Sequence, residues 1–153
     1  MNGKAAGFSL FLLRIAIGWL FLYSGITKIL NPEWSSAGYL VAAKTFPSFY
    51  KMLAGSEYLD WVNFINMWGQ AIIGGMLILG IGVFLASLGG LVMMLLYYFP
   101  VLEFPRIGLH SYIVDEHIIY ALVFLVFIFF SAGQYLGVDG FIWKSILPSK
   151  KRL

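Results

Sequence analysis

Between Trp61 and Phe99 the chain runs for 39 residues without one charged side chain. A single crossing of a bilayer takes about 20 residues, so this stretch is too long for one span and too apolar for a water-covered domain. It must double back, and Gly80-Ile81-Gly82 is where glycine permits a tight reversal. The reversal predicts one span over 61–79 and another over 83–99. Composition points the same way. Of 153 residues, 61% are hydrophobic and 11% charged, where soluble domains carry about 25% charged residues. Charges this sparse cannot coat a core of this size, so the surrounding solvent is lipid.

A further apolar run covers 8–30 and is a retained span rather than a signal peptide. It is longer than a signal core, holds Arg14, and ends in Thr27-Lys28 instead of a small-residue cleavage site. Asn31-Pro32 stops it, because proline withholds a backbone donor and restricts its predecessor. The loop 31–60 is too polar to span. It carries two short amphipathic pieces, 37–44 and 47–53, whose aromatic residues suit the membrane interface. A last span over 114–132 begins at Asp115-Glu116 and closes at Gly133 and Gly137, and the tail holds Trp143 as an interfacial anchor. The expected fold is therefore all-α: one integral membrane domain over 1–153, a four-helix bundle with a short amphipathic helical loop between spans one and two.

Lys4, Lys144, Lys150, Lys151 and Arg152 flank one side of these spans, and Lys44, Lys51 and Arg106 the other. Five bases against three predict a multi-pass protein of the cell membrane with both termini cytoplasmic. The basic tail reads as a positive-inside flank. No segment interleaves aromatics and bases as a nucleic-acid groove requires, so no nucleic-acid partner is expected. Cysteine is absent, which excludes disulfides, thiolate metal sites and thiol relays. Small residues recur at helical spacing: Gly18 and Gly25, Ala71 and Gly75, then Gly82, Ala86 and Gly90. Such stripes let helix backbones approach in lipid.

Ionisable groups inside a span are costly and mark sites or partners. Arg14 meets either lipid phosphate or an internal polar partner; Lys28 either snorkels to the headgroups or turns inward. Gln70 offers a mid-span hydrogen bond across helices. The densest polar cluster holds His110, Ser111, Tyr112, Asp115, Glu116 and His117, with Tyr120 three residues beyond on the face of His117. A histidine at an interface exchanges protons near neutral pH, and beside a tyrosine it suits quinone chemistry, where protons accompany electrons. The alternative is a structural histidine bonded to Ser24, Thr27 or a loop carbonyl. The two histidines lack the i, i+4 spacing of a helical zinc site, so no protein-bound metal is expected.

Two blocks carry a family resemblance. Leu13-Arg14-Ile15-Ala16-Ile17-Gly18-Trp19-Leu20-Phe21, followed by Ser24-Gly25-Ile26-Thr27-Lys28-Ile29 and Asn31-Pro32-Glu33-Trp34, resembles the opening of DoxX/DoxD-like membrane proteins. Val114-Asp115-Glu116-His117-Ile118-Ile119-Tyr120-Ala121 and Ala132-Gly133-Gln134-Tyr135-Leu136-Gly137 resemble that family's final span and exit. The resemblance implies a membrane four-helix bundle that partners redox enzymes, DoxD being a subunit of thiosulfate:quinone oxidoreductase. It places Arg14, Lys28, Trp34 and Asp115-Glu116-His117 at recurrent polar positions. Two features depart from it: Gln70 stands where a glutamate is frequent, and no base follows the turn near Gly82-Val83.

These readings lead to one expectation and two competitors. The first is a quinone-linked membrane subunit with no covalent cofactor, its pocket drawn from Arg14, Lys28, Trp34, Gln70, Asp115, Glu116, His117 and Tyr120. The second is a non-catalytic accessory subunit docked to a respiratory or oxidase complex through its glycine stripes and aromatic surface. The third is a small transporter. Beyond the bilayer, the expected partners are other membrane or redox subunits, or further copies in a homo-oligomer.

Overall fold

The structure, a computed structural model, describes residues 3–107 and 111–146. In chain order it holds α1 (Gly3–Ile29), the short α2 (Ala37–Val41) and α3 (Pro47–Leu53), α4 (Leu59–Leu79) and α5 (Val83–Val101). A small sheet follows, β1 (Leu102–Glu103), β2 (Arg106–Ile107) and β3 (Ser111–Tyr112), then α6 (Glu116–Phe129), a 3-10 turn (Ala132–Gln134) and α7 (Val138–Ile146). His110, Lys150, Lys151 and Arg152 lie outside the described residues, as do the side chains of Trp143 and Lys144.

Helices α1, α4 and α5 are long and apolar enough to cross a membrane. At 1.5 Å per residue they measure about 40, 32 and 28 Å, against a hydrocarbon layer of about 30 Å. The chain is a mostly helical, multi-pass membrane protein. Its last apolar helix differs from the expected span over 114–132. Asp115 is extended (φ −128°, ψ −170°) and caps α6, while Ser131 turns left-handed (φ 49°) before either glycine is reached. That leaves 14 residues, about 21 Å. The segment between α5 and α6 is not plain loop either. Pro100 does not end α5, which runs on to Val101, and 102–112 folds into an antiparallel three-stranded sheet pairing Leu102 with Ile107 and Arg106 with Tyr112.

The reversal between α4 and α5 sits at Gly80 and Gly82, both left-handed (φ 70° and 58°). Ile81 N–H reaches back to the Met76 carbonyl at 3.0 Å, the bond that closes a helix ending in a left-handed glycine. Four helices then pack in the order α1–α4–α5–α6, with α1 and α6 touching only slightly. The α1–α4 seam is a backbone-to-backbone approach. A Cβ on Gly25 would strike the backbone of Ala71, and one on Gly74 the backbone of Leu22. The small stripe on α4 is thus Ala71 with Gly74, whereas Gly75 faces open space. On α5, Gly90 receives the ring of Phe124, which meets Phe21 edge to face at 5.2 Å in the centre of the core.

The loop 31–60 lies over one end of this bundle and is pinned at several points. Asn63 Oδ1 accepts from Ser36 N–H and Oγ at 2.9 and 2.7 Å. Lys44 N–H donates to the Pro100 carbonyl and Thr45 Oγ1 to the Leu102 carbonyl. Pro100 has no N–H to offer the Leu96 carbonyl one turn back, and Tyr50 Oη supplies that bond at 3.0 Å. A proline inside a spanning helix is tolerated here because a tyrosine from the cap replaces the lost donor.

Candidate functional site

The predicted site residues separate into two groups towards opposite ends of the bundle, one around Arg14 near the middle of α1 and one around Lys28 in its last turn. Fourteen positions along a helix place Arg14 and Lys28 about 21 Å apart, so one pocket cannot hold both. Arg14 is 0% exposed. Its two Nη atoms donate to the Ala132 carbonyl at 3.0 Å and the Leu136 carbonyl at 3.1 Å, and the guanidinium lies over Phe11 at 5.6 Å. Asp139 is near enough to act on it electrostatically. That carboxylate accepts from Gly82 N–H and Val83 N–H at 2.8 and 2.9 Å, capping α5. Arg14 therefore has the internal partners weighed above, but they are carbonyls that tie α1 to the segment after α6.

Lys28, in the last turn of α1, does not snorkel. Its Nζ donates to Ser24 Oγ at 2.8 Å, one turn back, and to Gln70 Oε1 across on α4 at 2.5 Å, and it stands 5.4 Å from the ring of Trp34. Gln70 is 5% exposed and passes the chain on, its Nε2 donating to Tyr97 Oη on α5 at 3.2 Å. The Tyr97 ring meets the His117 ring edge-on at 6.2 Å. Lys28, Trp34, Gln70 and His117 are thereby brought together from α1, the cap, α4 and α6.

His117 takes neither of the serine or threonine partners considered for a structural role. Thr27 Oγ1 turns to carbonyls of its own helix. His117 Nδ1 instead lies 2.6 Å from Asp115 Oδ2, while Asp115 Oδ1 caps the helix by accepting from His117 N–H at 3.0 Å and Ile118 N–H at 3.2 Å. An ionised carboxylate only accepts, so Nδ1 carries the proton and Nε2 is the exchangeable position. Glu116 and Tyr120 line the same space. Among the described residues no group of three or more His, Asp or Glu side chains could hold a metal ion.

Around these groups is a cavity of about 280 Å³ between α1 and α6, floored by Gln70, Met94 and Tyr97. A second of about 260 Å³ adjoins it beneath the cap, sharing Lys28, Tyr97 and His117 and bounded by Trp34, Tyr39 and Asn66. Each is just below the range of typical ligand pockets. Tyr39, on the cap, donates its hydroxyl to the Tyr97 carbonyl. Burial, then Tyr50 and then Asp115, push its own pKa up to about 12, so it remains a neutral donor.

Tyr97, Asn66 and Tyr39 were not among the residues expected to form the site. A signal was present. Asn63, Asn66 and Gln70 are spaced three and four apart in the uncharged run, which puts three amides on one helix face. Tyr97 stands beside Tyr98 near the end of α5, and nothing local reveals that Tyr98 packs into the core while Tyr97 turns towards the cavity.

Comparison with known proteins yields no match among curated proteins and none among solved structures. The family model described as DoxX matches residues 9–102, from α1 to the start of β1, leaving Asp115 and His117 beyond it. With more than half of its length so matched, the chain belongs to the DoxX family.

Proposed function

We propose that this chain is the quinone-binding membrane subunit of a redox complex, with the cavity between Lys28 and His117 as the headgroup site. The carrying observation is that, among the described residues, each side of the cavity keeps one hydrogen-bonding position in reserve. An ammonium group has three N–H donors, and Lys28 commits two of them. An imidazole has two nitrogens, and His117 commits one. A quinone offers two carbonyl oxygens, one for each. Lys28 polarises one oxygen. Two electrons and two protons make the quinol. His117 Nε2 hands one proton to the other oxygen, and Lys28 Nζ hands the second to the oxygen it polarises. Both are returned on oxidation, with Asp115 stabilising the imidazolium. The electrons come from a partner redox subunit, because the chain has no cysteine to relay them. A thiosulfate-oxidising complex of the DoxD kind is the specific form that the resemblance implies.

In this reading α6, about 21 Å long, makes a fourth crossing, completing a four-helix domain. The Lys28 end is the outer one and both termini are cytoplasmic. Arg14 is left out of the pocket.

The test is purification in mild detergent, followed by lipid extraction. Retained quinone, and loss of quinone turnover in His117→Ala with unchanged melting, support the reading. The row Trp61, Phe64 and Trp68 on the outward face of α4 favours a second reading, an accessory subunit docked through those rings. The glycine stripes no longer belong to that argument, since Gly18, Gly25, Gly74 and Gly90 are taken up by internal packing. Stoichiometric partners with no quinone would decide for docking, and quinone-independent solute flux in proteoliposomes for transport.

A further inference from the structure

A third cavity, of about 170 Å³, lies beneath α2 and α3, walled by Leu40, Leu53, Val62, Ile65, Met93 and Leu96. It adjoins the cavity under the cap, for Ser36, Tyr39, Asn66 and Tyr97 line both. The polar tips around it are already engaged. Tyr39 Oη and Tyr50 Oη donate to the carbonyls of Tyr97 and Leu96, and Ser36 Oγ to Asn63. What the chamber presents is rings and aliphatic chains. An apolar void forfeits the dispersion contacts of its walls, and such voids stay dry and take apolar ligands. At its far side stand Ile65 and Leu96, 58% and 43% exposed on the membrane-facing surface.

We propose that the site is bipartite: the quinone ring occupies the Lys28–His117 cavity and the first units of its prenyl tail occupy this chamber, leaving for the lipid past Ile65 and Leu96. The proposal rests on the quinone reading and adds a path for the tail. The competing outlet, between α1 and α6 beside Leu20, is flanked by Ser24, Glu116 and His117, polar groups that an isoprenoid chain does not match. The cap thereby acquires a task. It selects a ligand that has a tail, and Tyr39 and Tyr97 line the junction where the part that carries the ring meets the part that carries the chain.

The experiment is calorimetric titration of the full chain in nanodiscs with two benzoquinones, one without a tail and one bearing two isoprene units. The tailed compound is expected to bind about tenfold more tightly. Val62→Trp fills the chamber and brings the two affinities within about twofold, while binding of the tailless compound is unchanged. Leu53→Phe repeats the test with a smaller intrusion, should the tryptophan disturb the cap. Lys28→Met weakens both compounds alike. A tail preference that survives both chamber variants, or one abolished by Leu20→Trp instead, overturns the tail path and leaves the quinone reading standing. Binding of neither compound to the unaltered chain overturns both.

Discussion

Helix α1 holds two cations that turn inward, Arg14 near its middle and Lys28 in its last turn, and the two are held in opposite ways. Arg14 is shut in by backbone: both Nη atoms are spent on carbonyls, and Gly80 and Gly137 approach so closely that a Cβ on either would collide with the guanidinium. Lys28 is held by side chains, an amide and a hydroxyl, with an aromatic ring nearby and cavities on two sides. Backbone carbonyls cannot move aside for a ligand without moving the chain, whereas side-chain partners can exchange. A cation held by carbonyls is a staple, whereas one held by exchangeable side chains beside a cavity is where we propose the site.

This contrast breaks most readily at Arg14. Replacing it with Met leaves two buried carbonyls without donors, and stability is expected to fall by about 3 kcal/mol or more, read as a loss of Tm in detergent. Unchanged melting with lost quinone binding would reverse the roles assigned to the two ends. Lys28→Met is expected to do the converse, weakening quinone binding about thirtyfold, or roughly 2 kcal/mol, with a melting shift much smaller than that of the arginine variant. An equal loss of stability would make Lys28 a second staple.

A sharper cut separates the two duties of Asp115. Asparagine caps a helix about as well as aspartate, so Asp115→Asn should melt like the unaltered chain while its quinone turnover changes its dependence on pH, because His117 has lost its carboxylate. Asp115→Ala removes the cap as well and should cost about 1 kcal/mol. If both variants melt alike, the cap contributes nothing. The smallest effect concerns Tyr39. Its pKa is raised from 10.0 to about 12, so the fold favours the neutral phenol. Its contribution to the cap is full below pH 10.0 and is lost as pH rises towards about 12. Hydrogen exchange at the α2 amides should accelerate across that window, and Tyr39→Phe should remove the dependence.

The degree to which each feature could be read in advance follows the range of the interaction behind it. Helices α4 and α5 and their reversal rest on a charge-free run and two glycines, all local, and were legible. The end of α6 was not, because Ser131 adopts a left-handed turn that nothing in its own neighbourhood demands. Asp115 as a cap was legible as an acid at a helix start, but its bond to His117 depends on how an extended residue aims its carboxylate. Pro100 taken alone marks a helix exit, yet it lies inside the helix because Tyr50, distant in the chain, donates to the carbonyl that proline deprives.

What the sequence determined by itself is the solvent and the class. With 61% hydrophobic residues, 11% charged and a 39-residue uncharged run, the chain has no soluble alternative, and the α1 block carries the family. What tertiary structure decided is which polar residues meet. Arg14 and Lys28 look alike in sequence, each a base inside one apolar helix. Only the packing of α4 and the cap against one end, and of the segment after α6 against the other, gave one of them amides and a cavity and the other carbonyls. Hydropathy sums over residues one at a time, whereas a site depends on pairs far apart in the chain, and those distances exist only once the helices have packed.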